Sequence, residues 1–405
     1  MVHRTRRIVI TGGGTAGHTN PGIAIAEALV ARGVPRADVR FIGGRRGNER
    51  ILVPEAGFTI DLLPGRGIER RPSLAAVGAV IALLAGLVKG FWLVLRHRPA
   101  VVVCLGGYAA FAASAAAVVL RVPLVVSEQN ARASAVNRLM GRFAAACALP
   151  FPDTDLPKGV VTGNPSRAAV VEAVTSADRH RARLELDLPA DRTVVAVWSG
   201  SLGATRVNEA VRGLAERWAD RDDLAIHHVV GRRDWDRFRQ PPAAVEAGGL
   251  IYRLIEYETR MPQLLVAADV AVCRAGASTV AELSVAGLPA VLVPLPSAPR
   301  DHQRANAREL VEANGAVLVD DAALDAEHLR DVLTPLVADA ARRGRMADAA
   351  AAVARPHAAD EVATLVVAAG RLEPAHPTIP TGDDHSEDDH SEDDRSEGDR
   401  RDGVH

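Results

Sequence analysis

Three glycine-rich loops, a histidine at the edge of one and a glutamate one turn beyond another hold the chemistry that this 405-residue chain could perform. The first loop, Gly12-Gly13-Gly14-Thr15-Ala16-Gly17-His18, follows an apolar run and opens onto Pro21. Gly12, Gly14 and Gly17 have the spacing of a dinucleotide fingerprint, which also needs an acidic residue at the end of the second strand to hold a ribose hydroxyl. The second strand ends Phe41-Ile42-Gly43-Gly44 without a carboxylate, which argues against a nicotinamide dinucleotide. What remains is the physics of small residues before a helix, where backbone N–H groups can approach an oxygen-rich ligand. His18 stands where a proton acceptor would face a cleft.

The second loop is Ser199-Gly200-Ser201-Leu202-Gly203-Ala204. The third, Arg274-Ala275-Gly276-Ala277-Ser278-Thr279, leads into Val280-Ala281-Glu282-Leu283, a helical stretch whose free N–H groups suit a diphosphate. Glu282, one turn inside, can accept two hydrogen bonds from a ribose diol. Asp301-His302-Gln303-Arg304-Ala305-Asn306 adds a dense polar cluster. Together the loops point to a nucleoside-diphosphate ligand in a cleft. No Asp-x-Asp cluster stands in a cleft loop of the kind that would chelate a metal with the diphosphate, so no metal and no cofactor are expected.

Such loops must be carried by parallel strands. Arg7–Thr11, Val39–Ile42, Val101–Leu105, Leu124–Ser127, Thr193–Trp198, Ile226–Val230, Val270–Cys273 and Ala290–Val293 are short, continuous and β-branched, as strands buried on both faces are. Helical stretches separate them, so the fold class is α/β, with two doubly wound parallel-sheet domains facing a cleft. The break falls between Pro150–Pro157 and Pro165, giving domains 1–165 and 166–352. Residues 353–370 should form a helix crossing back to the first domain, and 371–405 a disordered acidic tail.

Composition narrows the partners. Hydrophobic residues make up 48% and charged residues 24%, a folded soluble composition. Of 48 basic and 50 acidic residues, 3 and 11 fall in 383–405, which leaves a body of net charge +6. The tail repeats His-Ser-Glu-Asp-Asp with nothing apolar and cannot bury a core. Aromatics at 3% are too few for nucleic-acid stacking platforms. Cys104, Cys147 and Cys273 are too few and too scattered for a disulfide framework. Leu74–Leu95 is apolar except for Lys89, flanked by Arg66, Arg70 and Arg71 and by Arg96, His97 and Arg98. With Gly78, Gly86 and Gly90 interrupting it, it is expected to be a helix that touches anionic lipid with one face and does not span the bilayer.

These motifs resemble, in order, those of the MurG family, the N-acetylglucosaminyltransferases of peptidoglycan synthesis. The resemblance rests on Gly13–His18 with Pro21-Gly22, Gly106-Gly107-Tyr108, Glu128-Gln129-Asn130, Gly163-Asn164-Pro165-Ser166-Arg167, Gly200–Ala204, Cys273–Glu282, and His302-Gln303 with Asn306. It covers residues 7 to about 370 and implies a GT-B fold. It also implies inverting transfer of N-acetylglucosamine from UDP-N-acetylglucosamine to the muramyl C4 hydroxyl of lipid I, the undecaprenyl-pyrophosphoryl-muramyl-pentapeptide. The enzyme would be peripheral on the cytoplasmic face of the cell membrane. By the same resemblance Thr15, Ala16, Gly17 and Asn130 contact the donor from the N-terminal side. From the C-terminal side Arg167, Ser201, Glu258, Gln303 and Ala277, Ser278, Thr279, Val280, Ala281 and Glu282 hold it, with Glu258 near the uracil. Tyr108 and Asn306 face the acceptor. His18 and Glu128 are the two candidates for general base, His18 being preferred because an unperturbed histidine titrates near neutral pH. The rivals are a UDP-sugar transferase with another acceptor and a UDP-N-acetylglucosamine 2-epimerase.

Overall fold

A computed structural model describes residues 7–64, 74–200 and 203–372. Thirteen strands among them build two sheets. The first holds β1 (Ile8–Gly12), β2 (Val39–Gly44), β3 (Thr59–Leu63), β4 (Val101–Gly106), β5 (Leu124–Ser127), β6 (Ala146–Leu149) and β7 (Gly159–Val161), in the order β3-β2-β1-β4-β5-β6-β7. The second holds β8 (Thr193–Trp198), β9 (Leu224–Val229), β10 (Ile251–Ile255), β11 (Val270–Cys273), β12 (Ala290–Leu292) and β13 (Ala316–Leu318), in the order β10-β9-β8-β11-β12-β13. Every pairing is parallel. Helices cover both faces, and so Ile8, Val9 and Ile10 in β1 and Val194, Val195 and Ala196 in β8 are all fully buried.

In each sheet the strand order reverses beside the first strand, between β1 and β4 and between β8 and β11. Ligands of open α/β sheets bind beyond the carboxyl ends of the strands at such a reversal. The first loop follows β1, the second follows β8 and the third follows β11, so chain topology alone delivers all three glycine loops to these points. The helix Ala358–Gly370 packs on the first sheet: Val362, Ala363 and Val366 join the core of Ile8, Ile10 and Val101, and Arg32 holds Asp360 at 2.6 Å.

The stretch 74–97 is a single helix, Leu74–His97. Among the described residues no helix is long and apolar enough to cross a membrane. Leu84, Val88, Phe91, Trp92 and Leu95 line one exposed face at helical spacing, Val88 at 72% and Trp92 at 53% exposure. The opposite face is held in place. Gly90 lets the helix approach Ala112 closely, and Lys89 donates to the Leu62 carbonyl at 3.0 Å. Of the expected basic flanks, Arg66, Arg70 and Arg71 lie outside the described residues, and Arg96 stacks over Trp92. His97 does not serve as a surface cation: it is buried, with Nε2 2.9 Å from the Asp61 carboxylate.

Adjacent residues of a strand point to opposite faces, and β9 uses this for two buried histidines, His227 and His228. His228 has Nδ1 2.8 Å from the Tyr252 hydroxyl and Nε2 3.0 Å from Asn208 Oδ1. Asn208 Nδ2 donates to Val230 O and to Asp234, which also accepts from Thr205 Oγ1. The amide oxygen facing His228 Nε2 makes that nitrogen the N–H donor of a neutral ring. Burial, then the neighbouring His227, pushes the His228 pKa down to about 3. Between that value and 6.5 the unfolded chain binds the proton and the folded one does not, so stability rises with pH across this window. Acidification below pH 6.5 should therefore cost about 1.4 kcal/mol per pH unit from this group. Urea unfolding at pH 7 and pH 5 measures it; a parent and a His228→Asn variant with the same pH slope would refute it.

Candidate functional site

Thr15 is the N-cap of the helix Ala16–Ala31, and its Oγ1 lies 3.2 Å from His18 Nδ1. With Nδ1–H donating to Thr15, Nε2 carries the lone pair and has no hydrogen-bond partner among the described residues. Burial lowers the His18 pKa below 6.5; the charges of Glu128 and Glu49 raise it, by less in sum, and His302 across the cleft lowers it. The ring is thus neutral at neutral pH, as a proton acceptor must be.

Glu128 is not available as a base. It is 1% exposed; Oε1 accepts from the N–H groups of Gln129 and Asn130 and the Asn130 amide, and Oε2 from Ser134 N–H and the Asn137 amide. A carboxylate enclosed in this way has no face to offer a sugar hydroxyl. Its work is to fold the segment Gln129–Ser134, which carries Asn130. Asn306 likewise departs from expectation. It is fully buried and cannot meet an acceptor: Oδ1 accepts from Ala131 N–H at 2.8 Å, and Nδ2 donates to Asn130 Oδ1 at 3.2 Å and to Ala275 O at 3.3 Å. It joins loops of the two sheets across the cleft and orients the Asn130 amide.

On the C-terminal side the helix Ala277–Ala286 begins at the third loop with Gly276 as its N-cap, and its first-turn N–H groups have no intrahelical partner. Ala277 and Val280 pack inward, which leaves Ser278, Thr279 and Ala281 on the remaining faces of the first turns. Glu282 is buried and accepts from Arg167 Nε at 3.0 Å. Arg167 is the N-cap of the helix Ala168–Ser176, which packs on the helix Ala277–Ala286, so the two expected donor contacts meet each other on the C-terminal side of the cleft. Gln303 starts the helix His302–Glu312, with its Oε1 accepting from Leu295 N–H at 2.9 Å. Immediately before the helix, Arg300 and Asp301 hold left-handed φ values of 57° and 52°, a sharp bend that sets where it starts. Tyr108 opens the helix Tyr108–Val119, its hydroxyl 3.4 Å from the Leu63 carbonyl. In the second loop Gly203 has φ 80°, and a Cβ there would stand 2.2 Å from Val230 O. Ser201 lies outside the described residues.

Glu258 points inward. Its carboxylate is 3.1 Å from buried His227 Nε2 and accepts Arg260 N–H at 2.8 Å, bonds that bring its pKa down to about 2 against the opposing effect of burial. Only its backbone is left to meet a base. Sequence reasoning missed Glu49, at the start of the helix Glu49–Glu55. Its Oε2 accepts from Gly14 N–H at 2.9 Å and its Oε1 from Gly44 N–H at 2.7 Å. The signal lay in the glycines around it, for Gly13, Gly43 and Gly47 leave the space that its side chain fills.

Two doubly wound parallel sheets, with glycine loops opposed across a cleft that holds a neutral histidine on one side and a helix N-terminus with a buried carboxylate on the other, define a GT-B glycosyltransferase. The glycosyltransferase family 28 N-terminal domain matches residues 8–149 and the glycosyltransferase family 28 C-terminal domain residues 194–362. The chain belongs to glycosyltransferase family 28. A relative from Salinibacter ruber, named UDP-N-acetylglucosamine–N-acetylmuramyl-(pentapeptide) pyrophosphoryl-undecaprenol N-acetylglucosamine transferase, is 39% identical over 372 residues, 91% of this chain and 98% of its own. Among solved structures, Acinetobacter baumannii MurG superposes with a TM-score of 0.70 at 25% identity, over 89% of this chain and 99% of that one. A putative UDP-N-acetylglucosamine 2-epimerase from Listeria monocytogenes superposes at 0.64 and 16% identity, over 90% and 96% of the two chains. That last likeness is one of fold alone.

Proposed function

We propose that the chain transfers N-acetylglucosamine from UDP-N-acetylglucosamine to the C4 hydroxyl of the muramyl unit of lipid I, with inversion, giving lipid II. The observation that carries this reading is the opposition, across one cleft, of His18 with its free Nε2 and the Arg167–Glu282 pair beside an open helix N-terminus. The near-full-length likeness to the Salinibacter ruber transferase supports the choice of substrates. Residues 166–352 hold the donor. The first-turn N–H groups at Ala277–Val280 take up charge developing on the departing diphosphate, Glu282 accepts from the ribose diol, and the backbone near Glu258 meets uracil. Gln303 and Asn130 hold the sugar, with Thr15, Ala16 and Gly17 opposite. Residues 1–165 hold the acceptor, with Tyr108 beside it. His18 Nε2 takes the proton of the C4 hydroxyl as that oxygen attacks the anomeric carbon from the face opposite UDP. Incubation with UDP-N-acetylglucosamine and a short-chain lipid I analogue tests the reading: a disaccharide product is expected, and epimerised sugar nucleotide or transfer only to soluble aglycones would overturn it.

The acceptor's polyprenyl chain accounts for the exposed face of Leu74–His97. It rests in the interface of an anionic membrane, at the cytoplasmic side where UDP-sugars are made. Leu84→Ser/Val88→Ser/Trp92→Ser should lower vesicle affinity at least tenfold, since burying one such side chain contributes about 1.5–3 kcal/mol. Activity on a water-soluble acceptor should be unchanged. Flotation with anionic vesicles decides, and equal flotation of parent and triple variant would remove the membrane role from this face.

A further inference from the structure

The first glycine loop has the form of an anion site, with small residues, backbone N–H groups and a helix beginning at Ala16. The structure shows the place already occupied from within the chain. Glu49 is 2% exposed, and its carboxylate reaches Gly14 N–H at 2.9 Å on one oxygen and Gly44 N–H, at the end of β2, at 2.7 Å on the other. The glycines around it are spaced for this group. A Cβ on Gly47 would stand 1.9 Å from Oε2, one on Gly13 2.0 Å from Oε1, and one on Gly43 2.6 Å from the Glu49 side chain. Such an enclosure tolerates no larger residue at Gly13 or Gly47 while the carboxylate stays. Gly14 precedes Thr15, whose backbone carbonyl accepts His18 N–H at 3.1 Å and whose hydroxyl touches His18 Nδ1 at 3.2 Å. A continuous line of hydrogen bonds and covalent bonds therefore runs from Glu49 through Gly14 and Thr15 to the imidazole.

We propose that Glu49 is a positioning residue for the transfer reaction: it fills the anion place of the first glycine loop with a carboxylate of the chain itself and thereby sets the orientation of His18. The inference rests on His18 being the base of the reaction proposed above. It assigns the two carboxylates near the ring a shared kind of work. Glu128 folds the loop Gln129–Ser134, and Glu49 folds the loop Gly12–His18, and neither touches substrate. Both also bear on the ring electrostatically. The charged and titratable groups acting on His18 are Glu128 and Glu49, which favour its protonated form, and His302 across the cleft, which opposes it. Removing the charge of Glu49 while keeping its shape must make His18 harder to protonate.

Glu49→Gln tests this. The amide keeps the volume and one acceptor, but its NH2 group faces a backbone N–H and one hydrogen bond is lost. Two readouts are taken on the full chain: the His18 titration by NMR of ring-labelled histidine, assigned by the signal missing in His18→Asn, and the pH profile of kcat with the lipid I analogue. The expected result is a titration displaced to lower pH by roughly half a unit or more, with kcat lowered about 10- to 100-fold as the ring loses its alignment. An unchanged titration overturns the proposal, and a displaced titration with unaltered kcat overturns the positioning role. If Glu49→Gln does not fold, Gly47→Ala keeps the charge and forces the carboxylate off both N–H groups. It should lower kcat by a similar factor, and kcat within twofold of the parent overturns the proposal. A parent protein that transfers no sugar would sink the reaction proposed above, while the NMR titration would still decide whether Glu49 acts on His18.

Discussion

His18→Ala lowers kcat by roughly 10²- to 10⁴-fold, the range that loss of a general base produces, with donor KM changing far less. The reason lies in where His18 stands. Its Nδ1 is engaged with Thr15 Oγ1, its Nε2 has no partner among the described residues, and both oxygens of Glu128, the other candidate acceptor, are occupied by five donors. The pH dependence follows with its sign. The base works when neutral, and burial holds the imidazole below its ordinary 6.5, so kcat should fall on acidification only below that value. His18→Ala should remove this acid limb. Steady-state kinetics from pH 5 to 9 measures both effects, and a variant that keeps kcat within threefold would return the role to another group. Glu128→Gln serves as the contrast: a change in the loop that carries Asn130 should raise donor KM and leave the acid limb in place.

Glu282→Ala raises the KM for UDP-N-acetylglucosamine about 10- to 150-fold, equivalent to about 1.5–3 kcal/mol for charge-assisted hydrogen bonds to a diol. Two losses combine. The ribose loses its acceptor, and Arg167 loses the partner that holds its guanidinium beside the donor, at 3.0 Å from Glu282 Oε1. Arg167 keeps some contact with solvent, so folding should be little affected and the melting temperature should stay within a few degrees. Glu282→Gln keeps the shape and one acceptor and should fall between parent and alanine variant. A donor KM within twofold of the parent in Glu282→Ala would remove the ribose assignment; a rise in acceptor KM alone would place Glu282 on the other substrate.

The fold, and the loops that carry the candidate site, were legible in the sequence. β5, β8 and β11 have the bounds expected of them; β2, β4 and β12 differ by a residue or two at one end, and β1 and β9 at both. The reason is that strands buried on both faces must be continuously apolar, and such runs stand out against helical surroundings. The strands that were not read are of two kinds. β3, β7, β10 and β13 are sheet edges, paired on one side only, where polar residues such as Asp61 and Arg253 are tolerated and the apolar run is broken. β6, Ala-Cys-Ala-Leu, has little β-branched character and is a strand because β5 and β7 pair with it on both sides.

The site divides in the same way. Glycine loops after strands, a histidine beside one and a glutamate inside a helix after another are local patterns, and local physics was enough to join them to a nucleoside diphosphate. Which polar residues face the cleft and which hold it open is not local. Glu128, Asn306 and Glu258 carry the same side chains whether they touch substrate or bind the backbone, and only the packed structure shows what holds each: donors up to nine residues along the chain for Glu128, His227 for Glu258, and for Asn306 the Asn130 amide oxygen 176 residues away. Glu49 shows the limit most clearly. Its partners Gly14 and Gly44 lie on two different strand ends, and its significance depends on the empty space of glycines that come together only when β1 and β2 pair. The sequence by itself determined the two sheets, the order of the loops and the class of ligand, because burial and helix termini act through near neighbours in the chain. Tertiary structure decided which carboxylates are scaffolding and which nitrogen is left free, because a hydrogen bond is satisfied by whatever group arrives, from any distance along the chain.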